Sequence, residues 1–282
     1  MMDLQLRYKI KNILSRSAAY LVLILYFLFT LGPLLWIISL SLKTQLQAFA
    51  NPPLIFFKPT LENYQKLFSE TKFLRFFVNS IFISTISTVL SLAIGTLAAY
   101  GLVRIKAHWK NMVLLWIVLI RMAPAMTFVI PFFIVFLGIG LIDTRIGLII
   151  SYFTFNLPLV IWLMRSFFLD VSESIEEAAF IDGASIPQTF FRVVLPITLP
   201  GLVSTGIITF IVCWNEFIFA LILTRNKAVT AAIGIMNLMK YEGTEWGMMG
   251  AGAVILILPA IFMPFFIGKY LVQGLTRGAL KE

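Results

Sequence analysis

Side chains able to do chemistry are few in these 282 residues, and where they stand says more than how many there are. His108 is the only histidine and Cys213 the only cysteine, so neither a His/Cys metal cluster nor an internal disulfide can form. No Gly-x-x-x-x-Gly-Lys-Ser/Thr phosphate loop occurs. Nor does a set of acid, base and nucleophile gather as an enzyme site requires. Two charges are embedded in long apolar stretches: Arg121, and Glu216 in the triplet Trp214-Asn215-Glu216. Ionisable groups in that setting face a bundle interior or a water-filled path.

The densest pattern lies between residues 169 and 199. Ser174 with Glu177 three residues later has the spacing of a helix capping box, and Ser185 with Gln188 repeats it, with Pro187 in the first turn of the second helix. Gly183 stands between them, where a positive φ or a close backbone approach is easiest. Pro196 and Pro200 then close the segment. Two short helices bearing charges and exposed Ile175, Phe180, Phe190 and Phe191 suit docking into a cleft of a soluble partner. An interfacial linker whose aromatics sit among lipid headgroups fits the same pattern equally well.

The elements that position these groups follow from composition. Hydrophobic residues make up 60% of the chain and charged ones only 12%, more apolar surface than one water-soluble globule can bury. Runs 17–42, 76–103, 122–142, 146–164, 193–215 and 246–268 hold no Asp, Glu, Lys or Arg, and each matches a membrane span of roughly 20 residues. They are continuously apolar rather than alternating, which selects helices over barrel strands. The expectation is an all-α, polytopic bundle of about six transmembrane helices in one domain, with spans near 17–42, 76–103, 112–136, 146–168, 200–223 and 247–270. The first run follows Arg7, Lys9, Lys11 and Arg16 but lacks a small-residue cleavage site, and is read as a retained span.

Pro124, Pro131 and Pro158 are expected to bend spans three and four, and Gly95 with Ala99 and Gly247 with Ala251 to mark helix contacts. Counting ~1.5 Å per residue puts Glu216 about 5 to 10 Å further outward than Arg121, so a direct pair needs the long Arg side chain to reach across. The apolar stretch from Ala228 to Met239 is too short to span and is expected to lie at the interface or re-enter. The net charge of +9 is scattered over loops without a dense basic stripe, which argues against nucleic acid. With both termini cytoplasmic, 12 Lys and Arg fall inside and nine outside, a modest positive-inside bias.

Glu177-Ala178-Ala179, three residues, Gly183, nine residues and Val193-Val194-Leu195-Pro196 together resemble the EAA motif of ATP-binding-cassette importer permeases. That pattern is Glu-Ala-Ala-x3-Gly-x9-Ile-x-Leu-Pro, and Val193 alone departs from it. The resemblance implies a type I importer permease fold and a cytoplasmic coupling loop, 169–199. Glu177, Ala178, Ala179 and Gly183, with Leu195 and Pro196 behind them, would dock in a groove of a separate ATPase. Ser41-Leu42-Lys43-Thr44, Leu61-Glu62-Asn63-Tyr64, Asn79-Ser80, Gly140-Leu141-Ile142-Asp143-Thr144 and Trp214-Asn215-Glu216-Phe217 resemble the carbohydrate-importing branch, in particular its maltose-type second permease.

That branch implies a second homologous permease, two ATPase subunits that bind the ATP and Mg, an extracytoplasmic solute-binding protein, and a place in a prokaryotic inner membrane. No cofactor is implied for this chain. The expected substrate is a mono- or oligosaccharide, with glycerol phosphate or a polyol as the alternative. A secondary transporter is a further rival that would need repeats and buried carboxylates. Trp214, Asn215, Glu216 and Arg121 are candidates for the substrate path, since sugars offer hydroxyls to polar groups and flat faces to aromatics. The competing reading is that Asn215 and Glu216 hold helices together.

Overall fold

In lipid the backbone amides have only one another as partners, and this chain is helical almost throughout. The computed structural model describes residues 2–240 and 243–278. Helix α1 covers Met2–Ser41, α2 the single turn Gln45–Ala48, α3 Glu62–Ser69, α4 Phe73–Arg104, α5 Lys110–Met122, α6 Ala125–Gly138 and α7 Arg145–Leu169. Then come α8 (Glu173–Ile181), α9 (Ile186–Thr189), a π-helical turn at Phe190–Val194, α10 (Leu195–Ile197) and α11 (Leu199–Trp214). After α12 (Ile218–Leu223) and α13 (Ala231–Met236), two-residue strands β1 (Met239–Lys240) and β2 (Gly243–Thr244) pair antiparallel ahead of α14, Trp246–Gly278.

Among the described residues four helices are long and apolar enough to cross a membrane, and six crossings result if each of two bent pairs is one span. The first bent pair, α5 with α6, turns through 91°. Pro124 has no N–H to give and pushes Ala123 into an extended conformation, ψ 134°. The stretch 112–136, expected as one span bent at its prolines, is therefore two helices that part at Pro124. Pro131 and Pro158, by contrast, lie within helices α6 and α7 that run through them. The stretch 200–223 is also divided: α11 ends at Trp214 and α12 starts only at Ile218. A second bend of 77° separates Ile186–Ile197 from α11, beside Pro200.

The chain divides into two compact units. One comprises the residues up to Glu70 with Leu238–Val254. Here the middle of α1, from Tyr20 to Phe29, presents its apolar side chains outward on all sides, Phe29 at 82% exposure, as a helix surrounded by lipid does. Its end is tied down: Asn63 Nδ2 donates to the Ser41 and Lys43 carbonyls at 2.8 and 2.7 Å, and the Ser41 hydroxyl meets Tyr64 OH at 2.9 Å. The buried Lys43 ammonium lies over the Trp36 and Phe57 rings, 4.8 and 4.9 Å from their centroids.

The other unit, Thr71–Asn237 with Ile255 onward, is built on α4, α7 and α11. The buried face of α4 carries Asn79, Ser80, Ile83, Ser87, Ser91, Gly95 and Ala99 at spacings of one, three or four residues. Small side chains let neighbouring backbones approach, the usual source of helix association in lipid. At Gly95 an added Cβ would stand 2.9 Å from Val160 Cβ. Residues Ala228, Val229 and Ile233 belong to an apolar cluster with Val129, Phe136, Leu148 and Phe219. This part of the stretch, expected to lie at the interface or re-enter, is thus packed into protein.

Candidate functional site

Loop 169–199 is two short helices around a glycine turn. Helix α8 is capped by Ser172, in extended conformation with φ −61° and ψ 134°, whose Oγ meets Ser174 N at 3.4 Å. The cap is therefore two residues earlier than the Ser174–Glu177 pair expected, because the chain turns helical at Glu173 and leaves Ser174 inside the first turn. The second pair is found as expected: Gln188 Oε1 accepts from Ser185 N at 2.8 Å. Between them Gly183 takes φ +84°, and its N–H donates to the Phe180 carbonyl at 3.0 Å. Nothing lies within 4 Å of where a Cβ would be, so it is the backbone, not space, that selects glycine.

Around this turn Glu177 and Ala178 are exposed and Ala179 is half-buried, while Leu195 is half-buried and Pro196 exposed. Ile175, Phe180, Ile186 and Phe191 are exposed as well, and Ile181 reaches 86%. Phe190, expected to be exposed, is 3% exposed. Its ring packs on Tyr100 at 4.9 Å and Phe168 at 6.2 Å, because the π-helical turn rotates it toward α4 and α7.

The contact that fixes α8 was not visible in the motif. Glu176, beside the exposed Glu177, is 4% exposed. Its carboxylate accepts from Tyr100 OH at 2.8 Å and from Arg104 Nε at 2.8 Å, and Arg104 Nη2 pairs with it at 2.5 Å. Arg104 also donates to the Val171 carbonyl at 3.0 Å and the Phe168 carbonyl at 3.4 Å, and lies 3.7 Å from Glu173. The available signal was that Tyr100 and Arg104, four residues apart, share one helix face at the end of an uncharged run. Which of two adjacent glutamates they meet depends on the helix start.

The intramembrane polar groups stand apart. Trp214 is 5% exposed, its Nε1 donating to the Leu256 carbonyl at 3.1 Å and its ring packed against Phe77 and Phe210. Glu216 turns its carboxylate onto the start of α12, accepting from Phe219 N at 2.9 Å and Ala220 N at 3.3 Å. A carboxylate at a helix N-terminus satisfies otherwise orphaned N–H groups and complements the dipole. That accounts for the break between α11 and α12. Asn215 is exposed. Arg121, also exposed, edges a hollow with Ile117, Pro158 and Trp162, and forms no ion pair with Glu216.

The sequence pattern of the family described as "Binding-protein-dependent transport system inner membrane component" matches residues 91–277, which contain the whole of loop 169–199. The chain belongs to that family. It is 38% identical over 256 residues to the trehalose transport system permease protein SugB of Mycobacterium tuberculosis, covering 90% of this chain and 93% of the relative. It is 34% identical over 275 residues to the trehalose/maltose transport system permease protein MalG of Thermococcus litoralis, covering 96% and 99%. Among solved structures, a bacterial ABC transporter involved in import of the acidic polysaccharide alginate matches with a TM-score of 0.74 at 25% identity, over 90% of this chain and 95% of that one.

The protein is therefore an inner-membrane permease subunit and not an enzyme. Among the described residues no three His, Cys, Asp or Glu lie together to hold a metal ion. At the end of the permease opposite Arg104 along α4 lies a second polar assembly. Asp143, at φ 58°, accepts from the backbone N–H groups of Arg225, Asn226, Lys227 and Ala228 at 2.9 to 3.2 Å. Partial burial pushes the Asp143 carboxyl up, but those four N–H groups outweigh it and hold the group below its ordinary value. Asn79 Nδ2 donates to the Lys227 and Val229 carbonyls at 3.0 and 2.9 Å, Arg145 Nε donates to Asn79 Oδ1 at 2.8 Å, and Ser80 Oγ accepts from Ala231 N at 2.9 Å. The motifs at 79–80 and 140–144, opaque as sequence, are the ligands of one loop.

Proposed function

We propose that this permease forms half of a sugar translocation path and that loop 169–199 is the cytoplasmic element that docks on a separate ATPase subunit. The observation that carries this is the exposed apolar edge of Ile175, Ile181, Ile186 and Phe191 around Gly183, held against the bundle by Glu176. Apolar side chains in water on a fixed loop gain free energy when a partner covers them, about 25 cal/mol per Å² buried. An interfacial linker would not need an ionic anchor behind it.

A cytoplasmic loop places both termini in the cytoplasm and the 143/225–231 assembly outside. The family description supplies the binding protein, and the trehalose, maltose and alginate relatives support a carbohydrate substrate. A second homologous permease completes the path, and two partner ATPases bind the ATP and Mg. On the path, Asn215 and Arg121 are the exposed members of the candidate set, whereas Trp214 and Glu216 serve as packing and as the α12 cap.

The test is reconstitution of the permease with its partner permease, ATPase and binding protein in liposomes, followed by uptake of a panel of mono- and oligosaccharides, polyols and glycerol phosphate. ATP-dependent uptake of one sugar is expected. ATP-dependent uptake of a polyol or glycerol phosphate alone would overturn the substrate class. Uptake driven by an ion gradient without the ATPase would overturn the whole reading.

A further inference from the structure

Helix α4 is continuous over its 32 residues and contains no proline. At one end Tyr100 and Arg104 hold Glu176 of α8; about 37 Å away, at ~1.5 Å per residue, Asn79 and Ser80 hold the backbone of 227–231. The two loops therefore share a single rigid support.

We propose that Arg104 and Tyr100 are positioning residues that lock loop 169–199 to α4, so that displacement of the loop is passed along α4 to the 225–231 loop instead of being absorbed locally. This rests on the docking role proposed for the loop. Burying the Glu176 carboxylate and most of the Arg104 guanidinium costs desolvation energy that a well-packed apolar contact would avoid, so stability alone gives little reason for the pair. Its geometry gives a reason. Arg104 meets Glu176, Val171 and Phe168 at once, joining the start of α8, the end of α7 and the end of α4 in one fixed arrangement. Tyr100 adds a second constraint from the same face: its hydroxyl is on Glu176 and its ring on Phe190, so both halves of the loop bear on one side chain. With the anchor gone, the exposed edge around Gly183 could still dock, but α8 would turn under the partner's movement without carrying α4.

The quantity to measure is solute transported per ATP hydrolysed, in the reconstituted complex, for Glu176→Gln, Glu176→Ala and Tyr100→Phe. The ratio is independent of how many complexes assemble, so loss of folded protein cannot imitate the effect. The expected result is retained co-purification of the ATPase with a ratio reduced about tenfold for Glu176→Gln, more for Glu176→Ala and about threefold for Tyr100→Phe. Should Glu176→Ala fail to insert, the other two variants decide. A wild-type ratio in Glu176→Gln and Tyr100→Phe, whatever the amount of complex, overturns the inference. Absence of ATP-driven uptake in the unaltered complex overturns the docking role itself, and this inference with it.

Discussion

Loop 169–199 and the stretch 224–237 are both interrupted by turns, both contain short helices and both are rich in apolar residues, yet they face opposite ways. In the first, Ile175, Ile181, Ile186 and Phe191 point into solvent; in the second, Ala228, Val229, Ala231 and Ile233 are buried. The anchors differ in kind. The first loop is held by side chains, Glu176 on Tyr100 and Arg104 and the Phe190 ring on Tyr100 and Phe168, whereas the second is held by its backbone, with Asp143 and Asn79 taking N–H and carbonyl groups from 225 to 229. Backbone ligation fixes a loop whatever its side chains are. A side-chain anchor leaves the rest of the loop surface free for a partner, at the expense of resting on few residues.

The largest expected effect falls where the free surface turns. Gly183→Asp puts a charge and a Cβ at φ +84° in the middle of the exposed edge. No atom stands within 4 Å of that Cβ, so the permease should still fold and insert. A left-handed non-glycine residue costs ~1 to 2 kcal/mol, and a loss of ~2 to 3 kcal/mol of docking free energy weakens a contact roughly 30- to 150-fold. Co-purification of the ATPase and ATP-driven uptake should both fall accordingly. Wild-type values for both would remove loop 169–199 as the docking element.

A matched pair of truncations sharpens the contrast. Ile233→Ala removes a side chain from the buried cluster and should destabilise the protein by about 2 to 4 kcal/mol, read as a lower unfolding temperature in detergent. Ile181→Ala, on a side chain 86% exposed, should change stability by less than ~0.5 kcal/mol and weaken ATPase binding instead. Equal losses of stability at the two sites would mean that the loops are packed alike.

How much of this was legible beforehand depended on how far apart the partners lie in the chain. Composition and charge-free runs gave the helical membrane architecture, because burial in lipid is a property of each run by itself. Pro124 announced the α5–α6 break, since proline acts locally. Gly183 and the Ser185–Gln188 box were readable for the same reason. The break after Trp214 was not, because a glutamate in an apolar stretch reads as a buried charge until its hydrogen bonds to Phe219 and Ala220 are seen. Ser174 reads as a cap because Glu177 stands three residues on, but Ser172 offers the same hydroxyl two residues earlier, and only backbone dihedrals separate the two. Glu176 meets its partners across more than 70 residues and Asp143 across more than 80, distances at which local pattern carries no information.

The smallest effect tests the backbone-held loop. Asp143→Ala removes an acceptor for four N–H groups and should loosen 225–228 by about 2 kcal/mol, seen as faster amide exchange there. Asp143→Asn keeps an acceptor oxygen and tolerates φ 58°, so it should cost less, about 1 kcal/mol. Acid should reproduce the Asn variant. Because the folded-state pKa of Asp143 is depressed, its contribution is fully present above the unfolded value of about 3.9 and is lost as pH falls through the lower folded value. Exchange at 225–228, corrected for its intrinsic pH dependence, should therefore be flat from neutral pH down to about 5 and rise only below about 4. In Asp143→Asn that rise should vanish, since no proton is left to bind at this position. A rise of the same size in the Asn variant would assign the acid sensitivity to another group, and the carboxylate would no longer be what distinguishes this loop from 169–199.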